Sequence, residues 1–128
     1  METTVYRAGQ SAVSAYTRYI LRMDVRWQAP LPPGPKIIAA NHPTTTDPFY
    51  LLVLSPEPMS LLITKMAFAV PGFGTYLRAA GHIEVDHENG RPAFEAALTH
   101  LRRGGTLGIF PEGSLSPRDG GLARARSG

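Results

Sequence analysis

The chain has 128 residues, 43% hydrophobic and 18% charged, which suits one folded domain with a modest core and argues against disorder. Its formal net charge of +3 rests almost wholly on arginine, because Lys36 and Lys65 are the only lysines, so phosphates and anionic surfaces are the partners that charge favours. The absence of cysteine excludes disulfides, thiolate metal sites and a cysteine nucleophile.

No stretch approaches the roughly 18 uninterrupted apolar residues of a membrane span, and the N-terminus lacks a compact apolar signal core. A soluble or peripheral intracellular protein, cytoplasmic in place, is therefore expected. The arginines are dispersed without aromatic interleaving, so nucleic acid is not an expected partner.

Residues 1–28 read as an N-terminal amphipathic helix, with helical periodicity over 4–27. Val5, Ala8, Ala12, Tyr16, Tyr19, Ile20 and Met23 recur on one side, and Arg7, Gln10, Ser14, Arg18 and Arg22 cluster on the other. Either the apolar side packs on the domain, or the helix lies on an anionic bilayer with tyrosines at the interface. The alanine-rich apolar side favours the first. Residues 29–35 carry four prolines and form an extended connector to a domain over 36–128.

That domain opens with an apolar strand, 36–40, unalternating as in a buried parallel sheet. The block Asn41-His42-Pro43-Thr44-Thr45-Thr46-Asp47 follows at its C-terminal end. Pro48 looks like the first position of a helix capped by Asp47. A strand is expected at 60–64, then a short helical turn, the breaker Val70-Pro71-Gly72-Phe73-Gly74, a helix over 75–80, and a strand at 82–85. Pro92 opens a helix with Phe94, Leu98 and Leu101 as its apolar stripe, stopped by Arg102-Arg103-Gly104-Gly105. The last strand, 106–110, leads into Phe110-Pro111-Glu112-Gly113-Ser114-Leu115-Ser116. Alternating strands and helices imply an α/β fold, a mainly parallel sheet with right-handed crossovers and flanking helices. Residues 117–128 have little to bury, so the domain reads as incomplete on its C-terminal side.

Both blocks set reactive side chains in turns after apolar strands, where α/β folds place chemistry. His42 can exchange a proton near neutral pH. In a turn, Asp47 can accept from one imidazole nitrogen and leave the other to take a hydroxyl proton. Alone, the block is equally well read as a helix cap beside a surface histidine. Glu112, held between a proline and Gly113 near the same sheet edge, tips that balance.

Competing motifs are absent or incomplete: there is no Gly-x-Ser-x-Gly elbow, no His-Glu-x-x-His helix and no Gly-x-x-x-x-Gly-Lys loop, and Gly72-Phe73-Gly74 meets Leu77 where a dinucleotide loop needs glycine. His82, Glu84 and Asp86, with His87 and Glu88 nearby, are the best metal candidate, but an exposed polar strand face explains the same alternation and no metal is expected.

Asn41-His42 with Asp47, and Phe110-Pro111-Glu112-Gly113, resemble the signatures of the phospholipid and glycerol acyltransferase family typified by 1-acylglycerol-3-phosphate acyltransferases. Lys65, Pro71-Gly72-Phe73-Gly74 and Gly81-His82-Ile83-Glu84-Val85-Asp86 follow the family's order, so the resemblance spans about 36–116. It implies transfer of a fatty acyl group from an acyl thioester, acyl-CoA or acyl-ACP, to the hydroxyl of a glycerol-type or lysophospholipid acceptor, with no other cofactor. His42 would be the general base and Asp47 its orienting partner. Glu112 and Gly113, with Ser114 beside them, would bind the acceptor. A role in phospholipid biosynthesis implies a membrane surface as partner and a peripheral place on the cytoplasmic membrane.

Two departures stand out. His87 occupies the position of one family arginine that contacts the acceptor phosphate, and Leu115 that of another. Arg118 or Arg91 is the candidate substitute, and a less phosphorylated or bulkier acceptor is expected. The family's fourth block, an apolar strand around valine and proline, would lie beyond Gly128. A chain cut short is thus expected, and the alternative to an active enzyme is a noncatalytic, membrane-associating remnant.

Overall fold

The structure, a computed structural model, describes residues 2–113 and residue 124. Ser114, Leu115 and Arg118 lie outside the described residues. In chain order the elements are α1 (Glu2–Tyr19), β1 (Lys36–Ala39), α2 (Asp47–Leu52), β2 (Met59–Thr64), α3 (Lys65–Phe68), α4 (Phe73–Ala79), β3 (Ile83–Val85), α5 (Arg91–Arg102) and β4 (Thr106–Ile109).

The four strands form one parallel sheet in the order β1-β4-β2-β3, flanked by helices, so the α/β architecture expected from the alternation is present. The register sets Lys36 and Met59 on either side of Thr106, and Leu62 opposite Ile83. Parallel strands all point the same way, so the turns after β1, β4, β2 and β3 gather along one edge.

The central strands carry the continuous burial that a parallel sheet demands: Met59, Ser60 and Leu61 in β2, and Thr106, Leu107 and Gly108 in β4. β1 does not, which corrects the expectation of a buried strand. Among the described residues it pairs only with β4, and Ile37 is 54% exposed while Ile38 packs against the core. At the opposite end of the sheet from the turns, Lys36 reaches the Glu57 carboxylate and the Thr106 hydroxyl.

The core gathers Tyr6, Leu51, Leu52, Met59, Leu61 and Ala80, tying α1 and α2 to the sheet. The buried side of α1 is not the alanine–tyrosine stripe expected from periodicity. Tyr6 and Thr17 are buried, whereas Ala8, Ala12, Tyr16, Tyr19 and Ile20 are exposed. Gln10, expected on the solvent side, donates to Leu52 O at 2.7 Å and Ser55 O at 2.9 Å. Those carbonyls lie at and beyond the C-terminal end of α2, where backbone acceptors lack helical partners, so a side-chain amide there does what an apolar residue could not. The helix stops at Tyr19 rather than continuing to 27: Arg22 takes φ 50° and Met23 N–H closes on Thr17 O at 2.9 Å.

α5 departs similarly. Ala93 and Ala97 face the sheet, and Phe94, expected in the apolar stripe, is 67% exposed. A helix packed closely on β3 and β4 accepts alanine where phenylalanine would hold it off.

Candidate active site

The last backbone tie between β1 and the strand beside it runs from Ala40 N–H to Ile109 O at 3.1 Å. Past that point the two chains continue as turns lying side by side, which brings His42 and Glu112 together although 70 residues separate them.

Asp47 is the first residue of α2 rather than its cap. Thr46 holds the cap position and makes no side-chain cap bond. This frees the Asp47 carboxylate to face backwards into its own turn. Oδ2 accepts Thr44 N–H at 2.6 Å and lies 3.3 Å from His42 Nδ1, while Oδ1 accepts the Thr44 hydroxyl at 2.8 Å. Donors on both oxygens fix the carboxylate plane, and a carboxylate facing Nδ1 favours the tautomer protonated there. Nε2 then carries the lone pair. The imidazole also stacks on Phe110, with ring centroids 4.3 Å apart and planes 26° from parallel.

Glu112 enters from the turn after β4. That turn closes through Gly113 N–H to Phe110 O at 3.0 Å, with Gly113 at φ 65°, a conformation in which a Cβ is strained. The Glu112 residue is only 6% exposed, and its Oε1 accepts His42 N–H at 3.3 Å. His42, Asp47, Glu112 and Gly113 are therefore neighbours at one sheet edge. His87 is not among them: it is exposed in the loop after β3, with β4 and β2 lying between its strand and β1.

The metal candidate does not assemble. His82 is 7% exposed and turned inward, with Nδ1 accepting Leu61 N–H at 3.2 Å beside the Tyr6 and Tyr76 rings. Burial pushes its pKa down to about 4. Glu84 pairs with Arg78 at 3.3 Å and Asp86 with Lys65 at 2.7 Å, so the three side chains of the alternation go to different partners. Among the described residues no group of three or more His, Asp or Glu could hold a metal ion.

Two contributors were not singled out from sequence, and a third, Lys65, was noted there only for its place in the family's order. Thr44 clamps Asp47, and a hydroxyl three residues before an Asp that starts a helix is a usable signal for such a turn. Phe110 supports the imidazole, for which the only sequence hint is an aromatic at a strand's end. Lys65, at the end of β2, pairs across to Asp86 after β3 and holds that carboxyl below its usual range, helped by Glu88 N–H.

A groove of about 280 Å³ runs between α1 and α2, lined by Ala12, Val13, Tyr16, Thr46, Phe49 and Tyr50. Thr46 precedes Asp47 directly, so this nearly all-apolar groove begins at the catalytic-looking turn. A larger groove of about 560 Å³ lies under the connector at Trp27 to Leu31, and includes none of these site residues.

In comparisons with known proteins, a family model described as Acyltransferase matches residues 22–128. No curated protein and no solved structure gives a significant match.

Proposed function

We propose a function that starts from one firm premise: the chain belongs to the acyltransferase family, whose members move acyl groups. Our reading is that this chain is an O-acyltransferase of phospholipid biosynthesis, similar to 1-acylglycerol-3-phosphate acyltransferases. It takes a fatty acyl group from acyl-CoA or acyl-ACP to the hydroxyl of a glycerol-type or lysophospholipid acceptor. The observation that carries this reading is the His42 Nδ1 to Asp47 Oδ2 approach of 3.3 Å in a turn at the carboxyl edge of the sheet.

Asp47 accepts Nδ1–H, and His42 Nε2 takes the acceptor's hydroxyl proton as that oxygen attacks the thioester carbonyl. The C–O bond forms, the tetrahedral intermediate collapses, the C–S bond breaks, and the imidazolium returns its proton to the departing thiolate. A thiolate leaves readily, so the exchange requires no covalent enzyme intermediate. The apolar groove beside Thr46 suits the hydrocarbon chain of the donor. Gly113 and Ser114, with Arg118 as the candidate substitute for the missing family arginine, would border the acceptor. The place of His87 at the far end of the same edge, with β4 and β2 between its strand and β1, fits an acceptor held with fewer phosphate contacts.

A membrane surface is the proposed partner and a peripheral position on the cytoplasmic membrane the proposed location. Support comes from the exposed run Tyr16, Tyr19, Ile20, Leu21, Val25 and Trp27, interleaved with Arg18, Arg22 and Arg26. No helix among the described residues is long and apolar enough to cross a membrane.

The decisive experiment is release of free thiol from an acyl thioester across a panel of glycerol, lysophospholipid and glycerol phosphate acceptors. Wild type should release thiol with one acceptor class, and His42→Ala should lower the rate by about 10²-fold or more. Equal rates for the two proteins would end the base assignment.

A further inference from the structure

We infer that Glu112 is a positioning residue, which holds the main chain of His42 in place instead of binding the acceptor. The inference deepens the proposed function and rests on His42 being the base. Three observations lead to it. The Glu112 residue is 6% exposed, whereas a group that receives a substrate hydroxyl has to face the substrate. Its Oε1 accepts the His42 backbone N–H at 3.3 Å, across 70 residues of sequence. And this contact occurs where the β1–β4 ladder has run out: among the described residues its last bond is Ala40 N–H to Ile109 O, and the Glu112 side chain reaches the His42 turn just beyond it.

The side chain thus continues the ladder by other means. A backbone carbonyl of β4 could not follow, because Pro111 and the closed turn at Gly113 carry that chain away; a carboxylate on a three-bond arm reaches back across the gap. Taken with Asp47 on Nδ1 and Phe110 against the ring face, His42 is held at its ring edge, its ring plane and its main chain. Each contact removes a different motion of the imidazole. Orientation of a base to within a fraction of an ångström is worth orders of magnitude in rate, so a tether on the backbone can act on catalysis without touching substrate.

The test uses the full chain with Glu112→Ala, which removes the acceptor oxygen, and Glu112→Gln, which keeps one. Two readouts are taken: hydrogen exchange of the His42 amide, which needs no activity, and thiol release resolved into kcat and acceptor KM. Loss of that hydrogen bond should raise His42 amide exchange about tenfold or more in Glu112→Ala. The same variant should lower kcat with acceptor KM within about twofold of wild type, because bound acceptor is unaffected and only the base is displaced. Glu112→Gln should recover most of both losses.

Unchanged His42 exchange in Glu112→Ala overturns the inference, and so does a raised acceptor KM at constant kcat in both variants. Should Glu112→Ala fail to fold, Glu112→Asp replaces it: the charge is kept but the reach is one methylene shorter, and the same two losses are expected, with the same two overturning results. A wild type that releases no thiol would sink the proposed function, while the exchange readout would still decide whether Glu112 holds His42.

Discussion

His82 shows how much one buried ring can govern. It accepts Leu61 N–H through Nδ1, packs against Tyr6 and Tyr76, and titrates near pH 4 instead of its usual 6.5 because burial disfavours the charged form. Its folded pKa therefore lies below its unfolded one. Above about pH 6.5 both states are neutral and the group costs nothing. As pH falls towards 4 the unfolded chain gains a proton the folded chain refuses, and stability drops, by up to about 3 kcal/mol from this group. Urea unfolding at pH 7 and pH 4.5 should show that loss in wild type and a smaller one in His82→Gln; identical pH dependence in the two would refute it. The same residue marks a limit of sequence reading. Its polar neighbours Glu84 and Asp86 suggested a ligand cluster, but His82 precedes β3 and turns the other way, a difference of strand boundary that composition does not carry. His42, Asp47 and Glu112 were legible because prolines and glycine fix their turns locally. Thr44 and Phe110 were not, since a clamp and a stacking surface are ordinary residues until geometry makes them neighbours.

At the scale of elements, strand and helix existence was readable from local pattern, while the face each helix buries was not. Periodicity counts apolar side chains, but α1 is seated by Tyr6 and by Gln10 bonding to carbonyls at the end of α2, and α5 by two alanines. The result for α1 is that the side bearing Tyr16 and Tyr19 is left outward and runs into the stretch at 20–27. Six exposed large apolar residues with arginine at every fourth position are the surface on which the proposed contact with an anionic bilayer rests. In sedimentation with anionic vesicles the chain should pellet, and a variant with Tyr19→Ser, Ile20→Ser and Trp27→Ser should stay mostly in solution. Equal pelleting would place the contact elsewhere. Neutral vesicles should bind less, since arginine contributes about 1 kcal/mol per charge only near an anionic surface.

For the molecule as a whole, fold class followed from the alternation of elements, but strand order is a long-range property, and it decides where the chemistry hangs. The proposed base follows β1, one of the two edge strands, four residues long and joined to the rest of the sheet through β4 alone among the described residues. Cooperative unfolding of the central strands requires dismantling the core, whereas an edge strand can detach at much smaller free energy. The molecule is thus built with its proposed working part on an edge of the sheet rather than in its centre. Under rising urea, thiol release should disappear before the far-ultraviolet circular dichroism of the helices changes, and superimposable curves would contradict this. If the two transitions do separate, the concentration gap between them measures a quantity no static distance reports: how often, under native conditions, this enzyme is folded and yet briefly disarmed.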